Sequence, residues 1–188
     1  MRLNGAISKS RDVITFFNRD KAKLYGLELE ARKNLDFLGA QLKPFSLGGN
    51  LSLVQSEVKL TENELFNKGQ FFPDLKPTRP LYDQSPYVVN LDLNYDNSRS
   101  GTTASLIFNV AGPRITITKL NADDVYEQPA PGLDFVVSQK LGRHTTVRFF
   151  ARNLLDPEFE RTYGKNSKLL YDSYKKGRTF GLAFNYDF

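Results

Sequence analysis

Gly177-Arg-Thr-Phe-Gly-Leu-Ala-Phe-Asn-Tyr-Asp-Phe188 decides how the rest of this sequence is read. Phe180, Leu182, Phe184, Tyr186 and Phe188 share one parity, and Thr179, Gly181, Ala183, Asn185 and Asp187 share the other. Period-two alternation of this kind is the signature of a β-strand. Four aromatics among the five apolar-face positions is heavy for a strand in a soluble core. It suits a strand with lipid on one side and water on the other.

The same pattern recurs upstream. Over residues 21–33, Tyr25, Leu27, Leu29 and Ala31 oppose Gly26, Glu28, Glu30 and Arg32; a face of alternating charges looks into water. Over residues 45–55, Phe45, Leu47, Gly49, Leu51 and Leu53 oppose Ser46, Gly48, Asn50 and Ser52. Tyr87, Val89, Leu91, Leu93 and Tyr95 oppose Val88, Asn90, Asp92 and Asn94. Ala104, Leu106, Phe108 and Val110 form the next apolar face, with Ile107 as an exception on the polar side. Two more strands follow, with Leu133, Phe135 and Val137 and then Val147, Phe149 and Ala151 on the apolar face; Val136 departs from the alternation.

Residues 34–39, 96–101 and 141–144 are short turns, whereas residues 56–85, 113–131 and 154–175 show no strand pattern and read as long loops. The expected fold is all-β, an antiparallel up-and-down meander of about seven long strands forming an arc of a transmembrane β-barrel. Short and long connections alternate, so all the short turns fall at one rim and all the long loops at the other. Residues 1–20 are poorly patterned, a polar loop over 1–11 with 13–17 closing a strand, and residues 21–188 form the barrel segment.

Composition agrees. Among 188 residues there are 15 Phe and 9 Tyr, which favour strands, and no Cys, so no disulfide or thiolate site exists. Mean hydropathy is −0.44, and no apolar run approaches the roughly 20 residues of a membrane helix. A barrel escapes such a scan because its water-facing residues dilute every window. The net charge of +5 is dispersed in single residues and short doublets, which argues against a nucleic-acid partner. The first ten residues hold no apolar stretch of secretory-signal length, so this chain is not expected to direct its own export.

Several stretches, in order, carry a resemblance. They are Lys21-Ala-Lys-Leu-Tyr-Gly-Leu-Glu-Leu-Glu30, Gln84-Ser-Pro-Tyr-Val-Val-Asn-Leu-Asp-Leu-Asn-Tyr95, Phe108-Asn-Val-Ala-Gly-Pro-Arg-Ile115, Tyr126-Glu-Gln-Pro129, Ala151-Arg-Asn-Leu-Leu-Asp-Pro157 and the closing strand from Lys176 to Phe188. Together they resemble the carboxyl-terminal part of a TonB-dependent outer-membrane receptor, over residues 20–188. The resemblance implies an integral β-barrel of the bacterial outer membrane, in contact with lipid and lipopolysaccharide. In the intact protein it would take up siderophore, vitamin or oligosaccharide-type ligands. Gly181, Phe184, Tyr186 and Phe188 would form the signal read by the barrel-assembly machinery. TonB would be met only through an amino-terminal part absent from this sequence, and no cofactor is implied. Members of that family close about 22 strands around a plug. The chain is therefore expected to be a truncated product, a fragment or one piece of a split receptor. The rival readings are a soluble all-β carbohydrate-binding module and a small complete outer-membrane barrel that would draw a further strand from residues 2–17.

No catalytic, metal or cofactor constellation emerges, and an enzyme is not expected. His144, the single histidine, sits in a turn beside Arg143 and reads as solvated. Asp123, Asp124 and Glu127 match no calcium-loop spacing and read as a solvated loop. Glu28, Glu30 and Arg32 read as lumen-facing wall charges, with Arg32 placed to pair with Glu30 or with a neighbouring strand. Arg148 and Arg152 share a face, either lining an anion path or balancing the glutamates. Lys165, Lys168, Lys175, Lys176 and Arg178, with Tyr163, Tyr171 and Tyr174, read as a solubilising loop over an aromatic girdle.

Overall fold

The computed structural model describes residues 18–188. The strand expected at 13–17, and any strand drawn from residues 2–17, lie outside the described residues. Among these residues the elements run β1 (Ala22–Asn34), β2 (Phe45–Lys59), α1 (Glu62–Gly69), β3 (Thr78–Arg79), β4 (Tyr87–Asn97), β5 (Thr102–Ala111), β6 (Arg114–Ile117), β7 (Val125–Glu127), β8 (Gly132–Leu141), β9 (Thr145–Arg152), β10 (Glu158–Tyr163), β11 (Leu170–Lys175) and β12 (Thr179–Tyr186). Seven of them form an open antiparallel wall in the order β1-β2-β4-β5-β8-β9-β12, with the short β3 attached to β2. These are the seven strands expected from the alternation. β2 runs on to Lys59, past the end of the alternation, because Glu57 and Val58 still pair with Lys23 and Ala22 of β1 and Val58 and Lys59 with β3.

The three long connections are not unstructured. The first holds α1 and β3, and the other two fold into the hairpins β6–β7 and β10–β11. Those hairpins pair with each other in a second sheet, β11-β10-β7-β6. Its order repeats β12-β9-β8-β5, so the second sheet prolongs four wall strands beyond a line of breaks. The breaks carry Pro113, Pro129 and Pro131, together with positive φ at Asn153 (56°), Asp156 (46°) and Gly177 (76°). Proline cannot donate to a ladder, and these left-handed positions turn the chain out of it. Asn153 ties the break together: its backbone N–H donates to Asp134 at 2.8 Å and its side-chain amide to the Gly177 carbonyl at 2.7 Å.

Register sorts the two faces of the wall. One row across all seven strands runs Lys33, Leu47, Leu93, Leu106, Phe135, Ala151 and Phe180. A row on the opposite face runs Glu30, Asn50, Asn90, Asn109 and Gly132. The apolar face is uncovered: Tyr25, Leu27, Leu29, Leu91, Leu182 and Phe184 are all exposed. Among the described residues only Val58, Leu60, Ile115, Val125 and Ala151 form a buried apolar core; the first four lie at the end of β2 or in the first two long connections, and Ala151 sits near the end of β9 just before the third. An uncovered apolar face of this extent far exceeds what a soluble monomer shows. No helix among the described residues is long and apolar enough to cross a membrane, which says nothing of strands.

On the polar face, glycines make room for specific contacts. Arg32 reaches across β2 to Asp92 at 3.2 Å, two strands away rather than to Glu30. Gly48 lies between them in register, where a Cβ would stand 2.5 Å from an Asp92 carboxylate oxygen. Gly181 is covered by the Phe150 ring of β9, and a Cβ there would overlap the ring. The ring in turn carries the Arg152 guanidinium at 5.1 Å. An aromatic folded over a cross-strand glycine pins the register of a pair. Gly181→Val should therefore destabilise the wall by about 1–3 kcal/mol, whereas Ala183→Val on the same face costs less. Urea unfolding in detergent micelles followed by tyrosine fluorescence measures both, and Phe150→Ala should remove most of the Gly181→Val penalty.

Candidate functional site

The most densely built chemistry lies where the first long connection packs on the β6–β7 hairpin. Thr61-Glu-Asn-Glu64 is a capping box, and both reciprocal bonds are made: Thr61 Oγ1 accepts from the Glu64 backbone N–H at 3.2 Å, and a Glu64 carboxylate oxygen accepts from the Thr61 N–H at 2.8 Å. That fixes the start of α1 and leaves the other oxygen of Glu64 facing Arg19 at 2.6 Å and Arg79 at 3.1 Å. One helical turn further on, Lys68 projects from the same face and meets Asp124 at 2.5 Å. Asp124 also accepts the Lys119 backbone N–H at 3.0 Å and lies 3.5 Å from Arg79. The result is a continuous chain of charges, Arg19, Glu64, Arg79, Asp124 and Lys68, drawn from four separate stretches of sequence.

Glu64, Lys68 and Asp124 are 6%, 3% and 7% exposed. Val58, Leu60, Ile115 and Val125 are buried in the same region. Removing charges from water is costly, and a buried pair repays that cost only when its hydrogen bonds are complete. The cluster therefore positions more than it stabilises: it holds α1 and β3 against the hairpin. Burial opposes ionisation of Glu64, but hydrogen bonds from Arg19 and Thr61 and the charge of Arg79 outweigh it and hold its pKa at about 2. Burial and the neighbouring Asp124 carboxylate push the Tyr126 phenol up from its ordinary value. Two cavities of about 220 and 270 Å³ adjoin this cluster, and Pro80, Tyr126 and Lys165 line both.

A second feature spans the loop sheet. Arg114, Glu127, Arg161 and Asp172 fall in one register row across its four strands, alternating in sign. Arg114 contacts Glu127 at 2.8 Å and Asp83 at 3.2 Å, and Arg161 chelates Asp172. The bonds from Arg161 hold the Asp172 carboxyl below the usual carboxylate range. The expected aromatic and basic residues of the third connection are interleaved: Tyr171 lies under Arg161 and Lys119 at 5.2 and 5.6 Å, and Lys176 sits 3.9 Å over Phe159, itself stacked on Tyr174.

Glu28, Glu30, Arg32, Arg148 and Arg152 all lie on the polar face of the wall, distant in register from the buried cluster. Glu28 accepts from Ser52 at 3.4 Å. Phe184 and Tyr186 are exposed on the edge strand β12, with Phe188 beyond its end. His144 is exposed in its turn, its Nδ1 2.9 Å from the Asp187 carbonyl oxygen. Asp124 corrects the expectation of a solvated loop, because its carboxylate is enclosed by Lys68 and Arg79. No group of three or more His, Cys, Asp or Glu residues able to hold a metal occurs among the described residues. α1 lies in the stretch expected as a long loop, where the Thr61…Glu64 capping-box spacing is the local signal that could have found it; the pairings of Lys68, Arg79 and Asp124, which are remote in sequence, leave no such signal.

Solved structures share this fold. The ferric yersiniabactin uptake receptor FyuA from Yersinia pestis is similar over 89% of this chain and 24% of its own length, at 18% identity and a TM-score of 0.58. The ferric citrate transporter FecA in its unliganded form is similar over 87% of this chain and 24% of its own, at 15% identity and a TM-score of 0.63. The chain thus spans about a quarter of the length of each. No protein-family model matches the chain, and no curated protein matches it. At these identities the likeness establishes the fold: an antiparallel arc of receptor-type β-barrel.

Glu64 has a depressed pKa in the folded protein, so its contribution is present above its ordinary value of 4.5 and is lost as pH falls toward about 2. Amide exchange should accordingly rise in α1 within that acid window while β4 and β5 stay protected. At neutral pH, Asp124→Leu should cost about 3–5 kcal/mol by stranding the buried Lys68 ammonium. Adding Lys68→Met should recover part of that loss in the same unfolding measurement.

Proposed function

We propose that residues 21–188 are the carboxyl-terminal barrel segment of a TonB-dependent outer-membrane receptor. What supports this most directly is the seven-strand meander with one largely apolar face, in the fold of the two receptor barrels. Lipid supplies no hydrogen bonds, so a spanning sheet must pair its backbone between strands and present apolar side chains outward. In this reading the row from Leu47 to Phe180 meets lipid. Glu28, Glu30, Arg32, Arg148 and Arg152 line the water-filled interior. A soluble carbohydrate-binding sandwich would instead bury its aromatics, whereas here Phe180, Phe184 and Tyr186 stand uncovered.

Transport is the role of the assembled barrel rather than of this segment acting alone, and TonB would act through an amino-terminal part. Both neighbours are named for ferric ligands; a siderophore, vitamin or oligosaccharide-type nutrient is the corresponding cargo here. Gly181, Phe184, Tyr186 and Phe188 form the end that the assembly machinery would recognise, and lipopolysaccharide would border the basic outer loops. No step of this role needs enzymatic chemistry.

The α1 connection and the β6–β7 and β10–β11 hairpins then face outward, and the short turns face the periplasm. Trypsin added to intact cells producing the protein should cut at Lys165 or Lys168 and spare Arg143 until the outer membrane is permeabilised. Cleavage at Arg143 in intact cells would sink this topology, as would a monodisperse monomer in buffer without detergent.

A further inference from the structure

We propose that the two adjoining cavities beside α1 form one binding site for a small ligand presenting carboxylate or phosphate oxygens. The site takes its biological role from the receptor reading, but its chemistry stands on the cavity walls alone.

The charges of the buried cluster do not balance: Arg19, Arg79 and Lys68 face only Glu64 and Asp124. A lysine ammonium has three N–H donors. Asp124 takes one from Lys68, and no second acceptor is found for it among the described residues. Lys68 and Arg79 both line the larger cavity, where Lys76 and Lys165 add two exposed cations against Asp123 and Asp124. The smaller cavity is lined by Arg114 and Lys165 with no carboxylate among its described lining. Arg114 is held by its ion pairs to Asp83 and Glu127, neither of which is among the described lining.

Tyr126 lines both cavities, and its single phenol O–H is a donor available to a ligand on one side or the other. A low-dielectric wall of fixed donors with surplus positive charge favours an anion. Asp124 is already engaged by Lys68 and Arg79, which leaves Asp123 as the one other carboxylate in the described lining of the larger cavity, against the two exposed cations Lys76 and Lys165. Volumes of about 220 and 270 Å³ lie just below the roughly 300–1,000 Å³ of drug-sized sites, which suits a small anion or one charged arm of a larger ligand.

The test is calorimetric titration of the full chain, refolded in detergent micelles at low salt, with inorganic phosphate, with malonate and with the neutral sugar maltose. Saturable 1:1 binding of phosphate or malonate is expected, weakened about tenfold or more by the double substitution Lys76→Gln/Lys165→Gln. Both lysines are exposed and stand outside the buried ion chain, so the fold should persist in this variant. Lys140→Gln at the opposite rim should leave binding unchanged. Absence of saturable anion binding, equal binding by the double variant, or preference for maltose would each overturn the proposal. Anion binding by a chain whose Arg143 is cut in intact cells would uphold this site while sinking the receptor topology.

Discussion

Backbone pairing between neighbouring strands carries this structure almost unaided. A wall one sheet thick has no interior, and the few buried apolar side chains gather mainly at one rim. Its order comes from ladders such as the thirteen paired residues of β1 and β2, each satisfying backbone groups that would otherwise be stranded. Such ladders are tolerant of side-chain identity but not of slippage, because a shift of one residue would exchange the two faces. The glycine positions under Asp92 and Phe150 answer that requirement. They let one side chain cross to a chosen neighbour, and so mark one register among many.

The rim of the long connections is built on a different principle. There the apolar contacts of Val58, Ile115 and Val125 are real burial, and the ion chain from Arg19 to Lys68 closes over them. Rigid wall and charged cap meet at a line of prolines and left-handed residues, beyond which the strands resume as a second, smaller sheet.

Much of the wall was legible in the sequence because period-two alternation is a local property. The positions of Tyr87 to Tyr95, of Phe149 and Ala151 and of the closing strand needed no knowledge of their partners. The long connections were misread as featureless for the converse reason. Strands as short as Val125–Glu127 carry too few residues to show a period, and their partner Arg161 lies in another connection altogether. Asp124 looked solvated because its neighbours in sequence are polar, whereas its neighbours in space are Lys68 and Arg79.

The sequence by itself determined an antiparallel meander of seven strands with an apolar and a polar face. Those features depend on contacts or periodicities within a few residues. Only the tertiary structure decided which charges pair, that two hairpins extend the wall, and that a cationic cavity lies beside α1. Each of these joins residues dozens of positions apart, and the energy of a buried charge depends on what surrounds it in space rather than on what precedes it in the chain.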